Sequence, residues 1–570
     1  MKKITSITLF YLIFVSNANS QKVNWFETIG TKITEYYQDW NFIALAGLGG
    51  DDSTVVLSGT SRNQAVFFYK SNDSLTFKER RFGLENRFIA QYNSSGKLLW
   101  NKKLGGGSIF DNATMAYSGG NTYFASVFYN NMVADGDTFR SVACSLYLVK
   151  YNQKGQREWI KFSTPFYYSE DINPRKILVD KNENIYLFGE SSGYTELGFD
   201  GQYSKGNTFQ FVFKFDKKGS PLSNFTFKEE TKNKWNLRIP DALTDTLGNI
   251  YTLLSDGGLG VQSSCKYSQW QSKVIKITPE GVVSNLFNIT SDDLMSASSF
   301  LKMPNGDFIV TGSYRGQLKI NNFRTVNQSC SNTIYFLTRV TAEGKVLWFK
   351  KGEPSQFSHG FNLEMEDEFS FLATTFQTYP SPKSVPDAPV GFPQDGRRLI
   401  IKRISASGQT IDSTEFNVSG RLDDISLYHF KTKKTKSGIY LAGNYECYFD
   451  KSMESTCGSY VNEASGQKIF LLKLDKNALK NEPFKPFFDP TEISVEPNPT
   501  TGTLFYRFKN PITEPLSLQI FDVNGRLMKS QNIDGTIQYQ SLFIDDFPAG
   551  MYFLNIRSET INVIKKIVKQ

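Results

Sequence analysis

Histidine is nearly missing from this chain. It occurs twice in 570 residues, as His359 and His429, and neither has a metal-ligand partner at helical spacing. No His-Glu-x-x-His helix and no phosphate-binding glycine loop is present. Cysteine is scarce as well. The five are Cys144, Cys265, Cys330, Cys447 and Cys457, and none shows the Cys-x-x-Cys spacing of a zinc site. Cys447 and Cys457 lie close enough across a hairpin loop to pair in an oxidising compartment. Cys144, Cys265 and Cys330 fall in connections just upstream of recurring strands. Past the N-terminus no apolar run approaches a transmembrane helix. The net charge of +8 is scattered and forms no basic stripe, so nucleic acid is excluded as a partner. The densest basic group, Lys431, Lys433, Lys434 and Lys436, stands just ahead of a Ser-Gly turn. It reads as a solvated loop, with contact to an anionic glycan or lipid as the alternative.

What the chain has in excess is aromatic residues, 15 % of the total, with many glycines and asparagines. That composition belongs to strands joined by tight turns. The N-terminus reads as a signal peptide over residues 1–20. Met1-Lys2-Lys3 is a basic start, Ile4 to Val15 an apolar stretch too short to span a bilayer, and Ala18-Asn19-Ser20 a small-x-small site that puts cleavage between Ser20 and Gln21.

Residues 21–480 are a repeat. Strands ending in a similar turn recur before Gly96, Gly155, Gly219, Gly281, Gly344 and Gly408, at steps of 59, 64, 62, 63 and 64 residues. Taken as the first strand of each unit, they are followed about thirty residues later by a Gly/Asn-aromatic strand, as in Asp180 to Gly189 and Asp245 to Tyr251. A steady period with only strands inside it predicts an all-β, seven-bladed propeller. Lys468 to Leu474 is a seventh such strand without a second half, and Trp25 to Tyr69 carries a blade's later strands, Val55 to Gly59, without a first. The expectation is that 468–474 closes the ring on the N-terminal blade, which removes exposed edges. The pattern resembles bacterial β-propeller repeats of the SBBP kind.

The recurring residues suggest structural work. Trp100, Trp159 and Trp348 each stand four positions after a turn glycine and read as packing between blades, with a sugar-stacking platform as the alternative. Asp180 and Asp245 read as turn caps. Acidic residues recur before an inner strand, as Asp111, Glu170-Asp171, Asp292-Asp293 and Asp423-Asp424. A ring of them could hold a divalent cation, though no cofactor is called for. Gly189-Glu190-Ser191-Ser192-Gly193 matches the nucleophile-elbow string, but a helix must follow such an elbow and none is signalled, so it reads as an inter-strand turn. No catalytic or metal residue is assigned. Two long loops, Gln262 to Trp270 and the proline-rich Thr378 to Arg398, are candidates for recognition.

The last 78 residues, Ile493 to Gln570, follow a linker at 481–492 and read as a small antiparallel Ig-like β-sandwich. Pro497-Asn498-Pro499 and Gly502 open it. Asp522, Gly525 and Arg526 form a turn, Gly550 and Tyr552 start a strand after Pro548-Ala549, and Lys565 and Lys566 lie in a basic last strand. In that order these pieces resemble the type A C-terminal sorting domain of the type IX secretion system of Bacteroidota. The resemblance implies export across the outer membrane, with the type IX machinery as partner and a secreted or surface location. Together with the repeat it predicts a binding or adhesion protein for a surface glycan or protein. The alternatives are a propeller enzyme acting on polysaccharide or peptide, and a structural part of a surface assembly.

Overall fold

A computed structural model describes residues 23–30, 43–61, 65–68, 73–76, 86–105, 113–166, 171–227, 237–256, 270–327, 333–352, 361–379, 396–418, 430–447, 466–475, 493–508, 516–523, 526–534, 539–557 and 562–570. Every element among them is a β-strand, and no helix there is long and apolar enough to cross a membrane. The chain divides into two compact units, Met1–Leu479 and Lys480–Gln570.

In the larger unit the strands fall into four-stranded antiparallel sets, each running from an inner to an outer strand. The first set is Ile43–Gly50, Thr54–Ser61, Asn86–Asn93 and Leu98–Gly105. The second is Ala113–Ser118, Asn121–Ala134, Asp137–Tyr151 and Arg157–Phe162. The third is Asp171–Val179, Ile185–Phe199, Gln202–Phe215 and Pro221–Phe227. The fourth is Leu237–Thr244, Ile250–Asp256, Trp270–Ile277 and Val283–Ser291. Met295–Lys302, Phe308–Tyr314, Ile334–Val340 and Val346–Lys351 make the fifth. Asn362–Met365, Ser370–Tyr379, Gly396–Ser405 and Thr410–Val418 make the sixth. The seventh set is composite. Lys431–Thr435, Gly438–Cys447 and Gly466–Asp475 take the N-terminal strand, Val23–Gly30, as their outer member.

The strands before the turn glycines are therefore the third of each set, not the first. They read as continuous apolar runs because both faces are covered by neighbouring sets. Phe88, Leu148, Phe213, Ile275 and Phe336 are all fully buried. The glycines that end them sit at φ between +73° and +87°, a backbone that a side chain would strain. Strand 466–475 pairs with Val23–Gly30, Val23 opposite Leu474 and Ile29 opposite Ile469. Val55 to Gly59 lies instead in the first set, with Gly59 opposite Phe88.

Adjacent sets are locked by packing and by hairpins. Each inner strand lies against the inner strand of the next set, and Lys431–Thr435 lies against Ile43–Gly50. Hairpins inserted between second and third strands reach back to the preceding set. Ala65–Phe68 pairs with the N-terminal strand through Ile29 and Phe68, and Gly316–Ile320 pairs with Val283–Ser291 of the fourth set. Ala134, at the tip of the second set's hairpin, stands opposite Leu104 of the first.

The smaller unit has two antiparallel sheets. Ile493–Glu496, Thr503–Phe508 and Tyr539–Phe543 form one. Leu527–Ile533, Leu516–Asp522, Gly550–Arg557 and Asn562–Lys569 form the other, in that order. Their shared core is built by alternation, with Leu504, Tyr506 and Phe508 from one sheet meeting Leu518, Ile520, Leu554 and Ile556 from the other.

Candidate functional site

The group that sequence reasoning placed on a solvated loop is the innermost strand of the seventh set. In Lys431–Thr435 the two threonines, Thr432 and Thr435, are buried and the lysines half-buried. The lysines are tolerated there because the sixth set supplies carboxylates. Lys433 Nζ stands 2.5 Å from Glu364 Oε1, and Lys434 Nζ 2.9 Å from Glu366 Oε1. Glu366 also takes a bidentate contact from Arg403, which reaches Asp412 as well. Burial works against the charge on Glu366, but the Arg403 and Lys434 hydrogen bonds prevail and hold its carboxyl below the ordinary range.

Seven inner-strand residues share one level: Gly47, Thr114, Lys176, Asp241, Ser299, Asn362 and Lys431. In the first six sets each lies opposite a second-strand residue whose third-strand partner stands seven positions before the turn glycine. Lys431 matches them through Ala442, three residues beyond Ile439, as Phe188 stands three beyond Ile185. A β-bulge immediately precedes this position in Gly47, Lys176, Asp241 and Ser299 strands, and a bulge re-aims the side chain that follows it.

The charges at this level are two lysines and one aspartate. Asp241 is fully engaged. Its Oδ1 accepts from Lys176 Nζ at 2.8 Å and from Ala242 N at 3.0 Å, and its Oδ2 accepts from Ser299 Oγ at 2.9 Å. Burial pulls the Lys176 ammonium down, but Asp241, with Glu364 beyond it, outweighs burial and raises it above the ordinary value. Lys431 goes the other way. Burial and the neighbouring Lys176 lower it, and Asp241 offsets only part of that. The Lys176 side chain keeps 37 % of its surface accessible.

The residues singled out from sequence are mostly engaged in the framework. Trp100 Nε1 donates to Gln153 O at 3.0 Å, Trp159 Nε1 to Lys217 O at 3.1 Å and Trp348 Nε1 to Ala406 O at 2.9 Å. Each indole lies over the turn glycine of the next set, Gly155, Gly219 and Gly408, where a Cβ would meet the ring at 2.9 Å or less. Trp25 was missed as a member of this series. Its Nε1 donates to Ser94 O at 2.9 Å, in the first set's turn. Its recognition needs the knowledge that Val23–Gly30 is an outer strand.

Asp180 Oδ1 accepts from Asn182 N and Asn184 N, both at 2.8 Å. Asp245 Oδ1 accepts from Leu247 N and Asn249 N, both at 3.0 Å, and Tyr251 Oη donates to its Oδ2. These are the turn caps expected. Gly189 to Gly193 lies inside the strand Ile185–Phe199 rather than in a turn; Ser191 is opposite Ile172 and Phe209 and is buried, and Glu190 binds Arg175. Cys144 likewise sits inside a strand and not in a connection, and burial pushes its thiol up to about 11. Asp293 forms a bidentate pair with Arg315, and Asp292 Oδ1 accepts from Gln317 N. Among the described residues no group of His, Cys, Asp and Glu could hold a metal ion. Ser20, Gln21, Asp111, Glu170, Cys265, Cys330, His359, Asp423, Asp424, His429, Cys457 and Gly525 lie outside the described residues, as does most of both long loops.

In the C-terminal unit the motif residues tie the chain end to the sheet edge. Asn498 Nδ2 donates to Lys566 O at 2.7 Å, and Asn498 Oδ1 accepts from Val568 N at 2.9 Å. Both flanking prolines, Pro497 and Pro499, follow cis peptide bonds. Gly502 lies where a Cβ would strike Asp545 Oδ1 at 2.1 Å. Asp522 Oδ1 accepts from Arg526 N at 2.9 Å, and Tyr552 Oη donates to Pro548 O at 2.8 Å. Gly550 pairs with Lys569, Lys565 with Leu554 and Lys566 with Phe553. Lys569, not anticipated from the motif, is only 8 % exposed. Its ammonium donates to Ile544 O, Asp545 O and Phe547 O at 2.6–2.8 Å.

Residues 494–570 match the family described as the secretion system C-terminal sorting domain. The C-terminal unit is thus a type IX sorting domain, the type IX secretion machinery is a partner, and the chain is a secreted or cell-surface protein. No curated protein matches the sequence. Among solved structures, the chain is similar to a phage phi92 endosialidase at 9 % identity and TM-score 0.33, over 95 % of this chain and 87 % of that one. It is also similar to a novel fungal alcohol oxidase in complex with copper, at 10 % identity and TM-score 0.23, over 82 % and 95 %. Neither likeness carries chemistry to this chain.

Proposed function

We propose that residues 21–480 form a closed seven-bladed β-propeller of the SBBP kind, that the protein is made by one of the Bacteroidota, and that once exported it works by binding a glycan or protein at the cell surface. Closure is supported by the composite seventh set and by the contact of Lys431–Thr435 with Ile43–Gly50. It is supported equally by Trp25, which does for the first turn what Trp100, Trp159 and Trp348 do for later ones.

The observation that carries the binding reading is the use made of the repeated polar and aromatic residues. The tryptophans, the turn aspartates and the Asp293–Arg315 pair build the scaffold itself. Recognition then falls to what the repeat does not fix, the connections between second and third strands. In an antiparallel set these lie at one end, opposite the tight glycine turns, and here they hold the inserted hairpins and the long segments 257–269, 380–395 and 448–465. Loops on a rigid scaffold are the usual seat of recognition.

In the same reading residues 1–20 are removed as a signal peptide after Ser20, 481–492 are a linker, and Cys447 pairs with Cys457. No cofactor is called for. Arrays of glycans and of outer-membrane proteins test the function: retention without turnover is expected. Hydrolysis abolished by replacing a single Asp, Glu or Ser191 would overturn it in favour of an enzyme.

A further inference from the structure

Lys431 has no carboxylate partner among the described residues, unlike Lys433 and Lys434 beside it on the same strand. Its level already holds a second lysine, Lys176, whose own partner Asp241 is saturated by four contacts, those given above and Phe300 N at 3.4 Å. Register puts Lys431, Lys176 and Asp241 at one level of the inner strands, and Lys431 feels both of the others, repelled by Lys176 and attracted by Asp241. Between the strands of Lys431 and Lys176 stand those of Gly47 and Thr114. Gly47 brings no side chain; a Cβ there would meet Met115 Cβ at 2.7 Å. Thr114 brings a short hydroxyl. Two lysines thus flank a stretch of small residues, the carboxylate of the level, Asp241, stands on the strand beyond Lys176, and the level carries one positive charge in excess.

We propose that Lys431 and Lys176 bind one oxyanion group, a carboxylate or phosphate, between them at this level. The anion supplies the negative charge this level lacks. Lys176 keeps two N–H groups beyond the one given to Asp241, and an ammonium donates three. Charge-assisted hydrogen bonds of this kind are shorter and stronger than neutral ones. The site goes beyond the loop-borne recognition proposed above and does not depend on which ligand the loops take. The group can belong to a free ion or to an acidic sugar or peptide reaching inward, and the two sources share the same lysines.

The test is calorimetric titration of the full mature chain with sodium phosphate at neutral pH, against sodium chloride at matched ionic strength, and then with glucuronate. Saturable one-site phosphate binding is expected, accompanied by a rise in Tm that chloride does not reproduce. Lys431→Gln should weaken binding by about tenfold or more, the loss expected for one charge-assisted bond. Lys431→Arg should retain it, and Lys218→Gln, in an exposed turn, should leave it unchanged. Tighter binding of glucuronate with the same dependence on Lys431 would assign the group to an acidic sugar and support the site. Phosphate binding that is absent, that chloride matches, or that survives Lys431→Gln in a folded protein would overturn it. Retained array binding by Lys431→Gln would leave the loop-borne reading standing on its own.

Discussion

Asn444 holds Leu45 across 399 residues of sequence: its Oδ1 accepts from Leu45 N at 2.9 Å, and its Nδ2 donates to Ile43 O at 2.6 Å. Ser255 does the same between the fourth and fifth sets, where its Oγ accepts from Ala297 N at 3.1 Å. Leu45 and Ala297 both stand just before the inner-strand bulge, where the ladder is interrupted and a backbone N–H needs another acceptor. A second strand that reaches over to the next inner strand thus repairs the bulge and joins the sets in one contact.

Asn444→Ala should destabilise the larger unit by about 2–4 kcal/mol, since each buried backbone group left without a partner costs about 1–3 kcal/mol. Asn444→Ser, which keeps an acceptor, should recover part of the loss. Urea denaturation followed by tryptophan fluorescence measures both. Wild-type stability in the alanine variant would mean that the first and last sets are not held together here.

The N-terminal strand gives a second test of the same junction. Trp25 is buried, packs near Tyr92 and Tyr440, and donates to Ser94 O. Trp25→Phe should cost about 1 kcal/mol for the lost hydrogen bond, and Trp25→Ala about 3–5 kcal/mol. Ending the chain before Gly466 should do more, because it strips both Gly438–Cys447 and Val23–Gly30 of a partner and leaves open edges. That truncation should melt lower and aggregate, whereas one ending at 491 should not. Equal melting temperatures would rule the junction out.

Asp51 ties the first set's turn to Tyr117 of the second set's inner strand, which donates to its Oδ2 at 2.7 Å. Burial alone would raise the carboxyl, but the bonds from Tyr117, Ser53 and Thr54 prevail and hold it at about 2, below its ordinary 3.8. A depressed carboxylate stabilises the fold fully above its unfolded value and loses that contribution as pH falls through its folded one. Asp51→Asn should therefore lower the melting temperature at neutral pH. Its difference from wild type should shrink between pH 3.8 and about 2. A difference that stays constant over that window would count against the Tyr117–Asp51 bond.

Lys569 makes the C-terminal unit sensitive to its penultimate residue. Lys569→Met leaves three carbonyls without their donor and should destabilise that unit by at least about 2 kcal/mol. Removing Ile493 to Gln570 should leave the larger unit folded and held in the periplasm. Fractionation with immunodetection reads both, and normal surface delivery of the truncated protein would contradict the role of the sorting domain.

The sequence by itself determined the all-β class, the sorting domain at the C-terminus, the six turn glycines and the structural work of Trp100, Trp159, Trp348, Asp180 and Asp245. All of these are local or periodic signals: a positive φ, an Asx cap, a fixed offset, a motif order. What only the tertiary structure decided was everything that depends on which strands become neighbours. A period has no phase of its own, so the strand before each glycine could be taken as first when it is third. Trp25 belongs to the tryptophan series only once Val23–Gly30 pairs with 466–475. Lys431 to Lys434 resembled a solvated loop because charge density in sequence carries no record of Glu364, Glu366, Lys176 and Asp241, which arrive from three other sets. Burial of a charge is settled by the partners that surround it, and those partners are brought together only by folding.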